Sequence, residues 1–289
     1  MSRLRLVIVW FAACLSLLPV GAWAAPVAIV AAENFYGDVA RQIGGGAVTV
    51  TSILQSPDQD PHTFEAAPST AREIAAARIL VQSGIGYDDW MAKLAQVSNG
   101  GTAKLLVVAP LAARQDGDNP HIWYDPQTML AYAAVLTEKL AAADPAHAAD
   151  FRKRLAAFQA SMHPVLEKIA ALRALHSGTP VTATEPVFGY LMDAVGLRNR
   201  NAAFQVAVMN DTEPSASDLA AFEQSLKTRA VKLLVYNSQA TDPLADRMKT
   251  LAQQSGVPVL PVTETEPQGM TYQAWMTDVL NKLQQALAH

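Results

Sequence analysis

Short apolar runs rich in Val, Ile and Thr alternate along this chain with segments whose apolar positions recur three or four residues apart. The first pattern predicts strands at 27–31, 48–54, 79–82 and 104–108. The second predicts helices at 35–43, 68–77, 87–94 and 126–142. After a long helical stretch the alternation restarts, with strands expected at 179–183, 205–208, 231–236 and 257–262. Helices are expected at 185–196, 214–226, up to 254, and over 271–288. Pro258 and Pro261 put the last strand at a sheet edge, since proline cannot donate to a ladder. Strands alternating with helices at this spacing predict an α/β protein with parallel sheets and ligands at the strands' carboxyl ends.

The long stretch carries its own signal. Phe151, Leu155, Phe158, Met162, Leu166, Ile169 and Leu172 form one apolar stripe. Asp144-Pro145 would cap a single connector running to about residue 175, roughly 45 Å long at 1.5 Å per residue. Pro164 lies inside it and is expected to kink or divide it. The expected organisation is a signal peptide at 1–24, an α/β lobe at 25–143, a connecting helix at 144–176 and a second α/β lobe at 177–289.

Composition narrows the function classes. Of the 289 residues, 51% are hydrophobic and 17% charged, an ordinary globular balance. A formal charge of −4 gives no basic footprint, so nucleic acid is not an expected partner. Arg3 and Arg5, the apolar core Leu6 to Leu18 and Ala22-Trp23-Ala24 read as a secretory signal cleaved before Ala25, predicting a periplasmic protein. Phe11-Ala12-Ala13-Cys14 resembles a lipidation box only faintly, because the apolar run continues past it. Cys14 is the one cysteine and falls inside that signal, so the mature chain has neither disulfides nor thiolate metal ligands. A metal site would have to use histidine, carboxylate, carbonyl or water.

Two histidines fit that chemistry. In Asp60-Pro61-His62-Thr63-Phe64 and in Asn119-Pro120-His121-Ile122-Trp123-Tyr124-Asp125-Pro126, a prolyl-histidine sits on a strand-to-helix loop. Asp125 can cap a helix whose first residue is Pro126. This keeps His121 at a loop mouth rather than on a helix face. Matching contexts suggest two ligands converging on one metal. Glu185, at a strand end in Thr184-Glu185-Pro186-Val187-Phe188-Gly189-Tyr190, is a third candidate, although a carboxylate at a helix start needs no function to explain it. Glu264 and Glu266 follow the last strand and would reach the same cleft from the second lobe. His147, His163 and His176 fall on the connector and His289 ends the chain, bland positions all. Trp123 and Tyr124 are expected to wall the site. The chain has no Gly-x-Ser-x-Gly, no His-x-x-x-His and no glycine-rich phosphate loop.

On the two prolyl-histidine motifs, Phe188-Gly189-Tyr190 with Gly196-Leu197, and the helix start Thr271-Tyr272, the mature chain resembles the zinc/manganese-binding solute receptors of metal ABC importers, the cluster A-I receptors. The resemblance implies two α/β lobes joined by a long helix, with one divalent ion between them. It also implies no catalytic cofactor, and a permease partner in the inner membrane. Carried over by motif, His62 and His121 would be the first-lobe ligands and Glu185 the third. The fourth, an aspartate in many relatives, would be Glu264, with Glu266 and Asp242 as alternatives. Two imidazoles and two carboxylates suit manganese, while the affinity order favours zinc, so the metal stays open between them. A monomer without enzymatic activity is expected. The competing readings are a receptor for an organic metal chelate and a secreted metallohydrolase.

Overall fold

The computed structural model describes residues 25–56, 64–210, 212–240 and 242–288. The signal sequence expected at 1–24 and the candidate ligand His62 lie outside the described residues. Among the described residues, no helix is long and apolar enough to cross a membrane.

The first lobe is a four-stranded parallel sheet of β1 (Val27–Glu33), β2 (Val48–Leu54), β3 (Ile79–Gln82) and β4 (Leu105–Val107), in the order β2-β1-β3-β4. Helices α1 (Asn34–Gly44), α2 (Pro68–Ala76), α3 (Asp89–Gln96) and α4 (Pro126–Ala143) accompany it. Register is set by pairs such as Val27 with Val48 and Leu80 with Leu105. The second lobe repeats the order with β5 (Pro180–Ala183), β6 (Arg198–Arg200), β7 (Leu234–Asn237) and β8 (Val259–Val262), arranged β6-β5-β7-β8. Its helices are α6 (Gly189–Val195), α7 (Ala202–Met209), α8 (Ala216–Lys227), α9 (Pro243–Gln254) and α10 (Tyr272–Leu287). In each lobe the chain turns back between the first and third strands, β1/β3 and β5/β7. A parallel sheet opens a crevice at such a switch point.

The connector α5 (Ala148–His176) is one helix of 29 residues. Pro164 does not divide it. Both Pro164 and Ala160, whose carbonyl loses its helical donor, are exposed, so water can satisfy that carbonyl. Phe151, Phe158, Met162, Val165, Ile169 and Leu172 bury the opposite face. That face packs on α1 and α4 of the first lobe and on α6 and α10 of the second. One apolar core therefore runs through both lobes, from Phe35 and Trp123 to Phe188 and Trp275.

One expected strand is a helix. Residues 205–208 belong to α7, where Phe204, Gln205 and Val208 are buried at helical spacing. A short apolar run cannot by itself distinguish the two periods. The edge position is taken by Arg198–Arg200, whose polar letters carry no strand signal because both arginines point to solvent. The Gln205 amide, paired reciprocally with the Asn199 side chain at 2.9 and 2.8 Å, fixes α7 against that strand. The proline-bearing strand β8 does lie at an edge.

Pro164→Ala restores a helical N–H at an exposed position. It is expected to stabilise the protein by about 2 kcal/mol, the helix gain less the loss of proline's restraint on the unfolded chain. Denaturant titration of the two proteins checks this.

Candidate metal centre

His121 enters the site from the loop after β4. Asp125 accepts the Gln127 N–H at 3.0 Å and the Thr128 hydroxyl at 3.1 Å, and Pro126 opens α4. That cap ends the loop and brings Ile122, Trp123 and Tyr124 into the core as a tight 3-10 turn. The imidazole itself is fully buried, wedged edge-on between Tyr87 and Trp123 with ring centroids at 5.8 and 5.2 Å. Asn119 Oδ1 receives the ring's Nδ1–H at 2.6 Å and the His121 backbone N–H at 3.2 Å. This bond puts a proton on Nδ1 and leaves Nε2 as the nitrogen that could serve a metal, the usual pattern when the other ring nitrogen is held by a carbonyl. Nε2 faces Glu264 Oε2 at 3.5 Å, across the lobe boundary.

Asn119 is also a bridge. Its Nδ2 donates to the Pro186 carbonyl at 2.7 Å, and its carbonyl accepts the Tyr190 hydroxyl at 2.7 Å. Between those partners lies Gly189, where a Cβ would come within 2.9 Å of Asn119 Nδ2. The Phe188-Gly189-Tyr190 motif is thus a docking surface for the His121 loop.

The second lobe contributes Glu185 from the end of β5 and Glu264 from the end of β8, 4% and 1% exposed. Asn237, the last residue of β7, stands between them. Its Nδ2 donates to Glu185 Oε2 at 3.1 Å and to Glu264 Oε1 at 2.7 Å, so one amide ties two carboxylates across the β5/β7 switch point. Thr184 Oγ1 accepts the Asn237 N–H at 3.2 Å, and Asn237 Oδ1 accepts the Gln239 N–H at 3.1 Å. Gln239 Oε1 in turn receives the Glu264 N–H and, at 2.9 Å, the Thr265 N–H, which fixes the loop after β8. From the first lobe, the Tyr87 hydroxyl donates to Glu264 Oε2 at 2.7 Å.

The fold therefore places buried Glu264 beside buried His121 and joins it through the Asn237 amide to buried Glu185. Glu266 and Asp242 lie elsewhere. The Glu266 backbone exchanges two bonds with the Asn34 side chain, at 2.9 and 2.6 Å, and its carboxyl lines a separate polar cleft with Asp38, Arg41 and Ser52. Burial, reinforced by the Asp38 charge, pushes that carboxyl up to about 9. Asp242 caps α9 through Ala245 N–H at 2.8 Å. Among the described residues, no three histidine, cysteine, aspartate or glutamate side chains form a ready-made metal cage. Sequence reading missed Tyr87, Asn237 and Gln239. Asn237 carried a usable signal, a polar residue directly after the apolar run of a buried strand.

A second pair of carboxyls occupies the matching switch point of the first lobe. Glu33 ends β1, and Asp88 follows the turn after β3; neither is exposed. Asp88 accepts the Ser83 and Gly84 N–H groups at 2.6 and 2.8 Å. Burial, then the Asp88 charge, holds the Glu33 carboxyl well above the usual carboxylate range, and burial also raises Asp88 to about 7.

Two α/β lobes of like strand order, bridged by one long helix and meeting at buried histidine and carboxylate side chains, define a two-lobed receptor class. Residues 29–286 match the family model of the periplasmic component A of the zinc-uptake complex, and the chain belongs to that family, ZnuA. It is 24% identical to the iron ABC transporter substrate-binding lipoprotein MtsA of Streptococcus pyogenes serotype M1, over 90% of this chain and 88% of that one. It is 23% identical to the manganese ABC transporter substrate-binding lipoprotein PsaA of Streptococcus pneumoniae, again over 90% and 88%. The periplasmic zinc-binding protein TroA of Treponema pallidum superposes with a TM-score of 0.75 at 19% identity, covering 92% of this chain and all of that one. A crystal structure of ZnuA superposes at 0.72 with 19% identity, over 90% and 98%.

Because folding raises both carboxyls, the stability that protonated Glu33 and Asp88 contribute is fully present below about pH 4 and is lost as pH rises through their folded values. Glu33→Gln should flatten this decline. Melting curves of the metal-free protein between pH 5 and 8 measure it, and parallel slopes for variant and wild type would contradict the assignment.

Proposed function

We propose that this protein is an exported receptor that captures one divalent transition-metal ion between its lobes and delivers it to an ABC permease. The observation carrying this reading is His121. A fully buried imidazole whose Nδ1–H is held by Asn119 presents Nε2 to a second-lobe carboxylate, and that polarity serves a cation better than it serves the core. His121, Glu185 and Glu264 act as ligands, and His62 joins them from the loop before α2. The family's transport role and the metal named for its relatives, zinc, manganese or iron, support a metal as cargo.

The reading is capture rather than catalysis. The carboxylates bind the ion with their orientation already set by Asn237 and Tyr87, and water leaves as the lobes meet around it. A cleft of about 360 Å³ lined by Tyr87, Asn119, Pro120, Pro186 and Val206 reaches the residues that touch His121 and Glu264, and it is the approach route for the ion. The sequence reading of residues 1–24 as an export signal supports a periplasmic location.

Metal analysis and calorimetric titration of the purified protein with zinc and manganese test this. One ion per chain is expected. His62→Ala, His121→Ala, Glu185→Ala and Glu264→Ala should each weaken it by at least about 10- to 100-fold, since second-shell changes alone cost that much. Affinity should drop on acidification from about pH 7.5 to 5, because protons compete for imidazole and carboxylate donors. Binding indifferent to both histidines would refute the site.

A further inference from the structure

We infer that Tyr87 and Asn237 together determine metal specificity, by presenting Glu264 to the ion through one oxygen. The inference rests on the reading of Glu264 as a ligand. Each oxygen of this carboxylate is held from a different lobe. Tyr87 donates to Oε2 at 2.7 Å from the first, and Asn237 donates to Oε1 at 2.7 Å from the second. Oε2 is the oxygen that faces His121 Nε2, at 3.5 Å. An ion bound by that nitrogen therefore meets Oε2, while the Asn237 amide holds Oε1 toward Glu185. Two bonds from opposite sides fix the plane of the carboxylate and keep it from turning both oxygens onto one ion.

Tyr87 is built into this position. Gly84, Ile85 and Gly86 all adopt positive φ, at 81°, 50° and 86°. For the β-branched Ile85 that conformation is strained. Asp88 compensates by accepting the Ser83 and Gly84 N–H groups, closing the turn so that the next side chain points to the second lobe. A phenol is protonated at neutral pH and Glu264 Oε2 lies within reach of its hydroxyl, so Tyr87 is the donor. The indole of Trp123 packs against its ring at 4.8 Å.

The consequence is a low donor count. Zinc is content with four ligands, whereas manganese prefers six and is commonly served by carboxylates and water. A Glu264 restricted to one oxygen favours zinc. Freed from either clamp, the carboxylate can turn and offer both oxygens, which favours the ion of higher coordination number.

The test is the ratio of manganese to zinc dissociation constants for wild type, Tyr87→Phe and Asn237→Ala, by competition with a chromophoric chelator. The visible spectrum of the cobalt-loaded proteins reports coordination number alongside. The ratio should fall by about tenfold or more in each variant, a difference of about 1.4 kcal/mol between the metals. The intense four-coordinate cobalt absorption should weaken with it. Equal loss of both affinities with an unchanged ratio and spectrum would overturn the inference and leave the receptor reading intact. A wild type that binds neither metal would remove both. Tyr87→Phe deletes one oxygen from a packed ring and decides the matter alone if Asn237→Ala does not fold.

Discussion

Glu185 and Glu264 are buried side by side, and this is the constraint from which the rest of the site follows. Taking carboxylates out of water is costly, and taking two of them into one small volume adds their mutual repulsion. The protein offsets part of that cost with directed donors. Asn237 serves both groups, Tyr87 serves one from the opposite lobe, and Gln239 holds the loop that carries Glu264. Neutral donors lower the cost without cancelling the charge. A divalent cation would cancel it, which is the physical basis of the metal site proposed above.

The same economy of charge explains the first lobe. Glu33 and Asp88 occupy its switch point much as Glu185 and Asn237 occupy the other. Burial and the Asp88 charge hold the Glu33 carboxyl well above the usual carboxylate range, and the backbone N–H groups of Ser83 and Gly84 bond to Asp88. At one crevice the carboxylate of Asp88 shapes the Tyr87 turn, while at the other two carboxylates share the Asn237 amide. Two lobes of equal strand order serve unequal purposes because different side chains stand at equivalent strand ends.

The lobes are held together by bonds that ring this centre. Tyr124 donates to the Thr263 carbonyl and Tyr272 to the Trp123 carbonyl, each at 2.7 Å. Asn34 clasps the backbone of Glu266, and Gln42 exchanges bonds with Gln273. Beneath them the apolar core is continuous, and α5 spans both lobes. Polar pairs of this kind set register, whereas the core supplies cohesion, so the ligand-bearing loops meet at a fixed distance.

Much of this was legible in the chain itself. Apolar periodicity gave the alternation of strands and helices, the prolines placed β8 at an edge, and the Asp125-Pro126 cap located the His121 loop, because these are local effects of φ, ψ and burial. The motifs nominated His121, Glu185 and Glu264; the structure puts Glu264 beside His121 and links it to Glu185 through Asn237, while His62 falls outside the described residues. What sequence could not supply is non-local. The resemblance ranked Glu264 ahead of Glu266 and Asp242, and tertiary structure shows one carboxylate facing His121, one turned to another cleft and one on a helix cap. Residues 205–208 are helix, tied to the neighbouring strand by the Asn199–Gln205 pairing, and Arg198–Arg200 is strand at a sheet edge, placements that no local pattern announces. Tyr87 and Asn237 lie 150 residues apart and meet only through Glu264. The sequence by itself determined which donors the protein owns; the packing of two lobes decided which of them share one buried point, since hydrogen bonds act over a few ångströms of space and not along the chain.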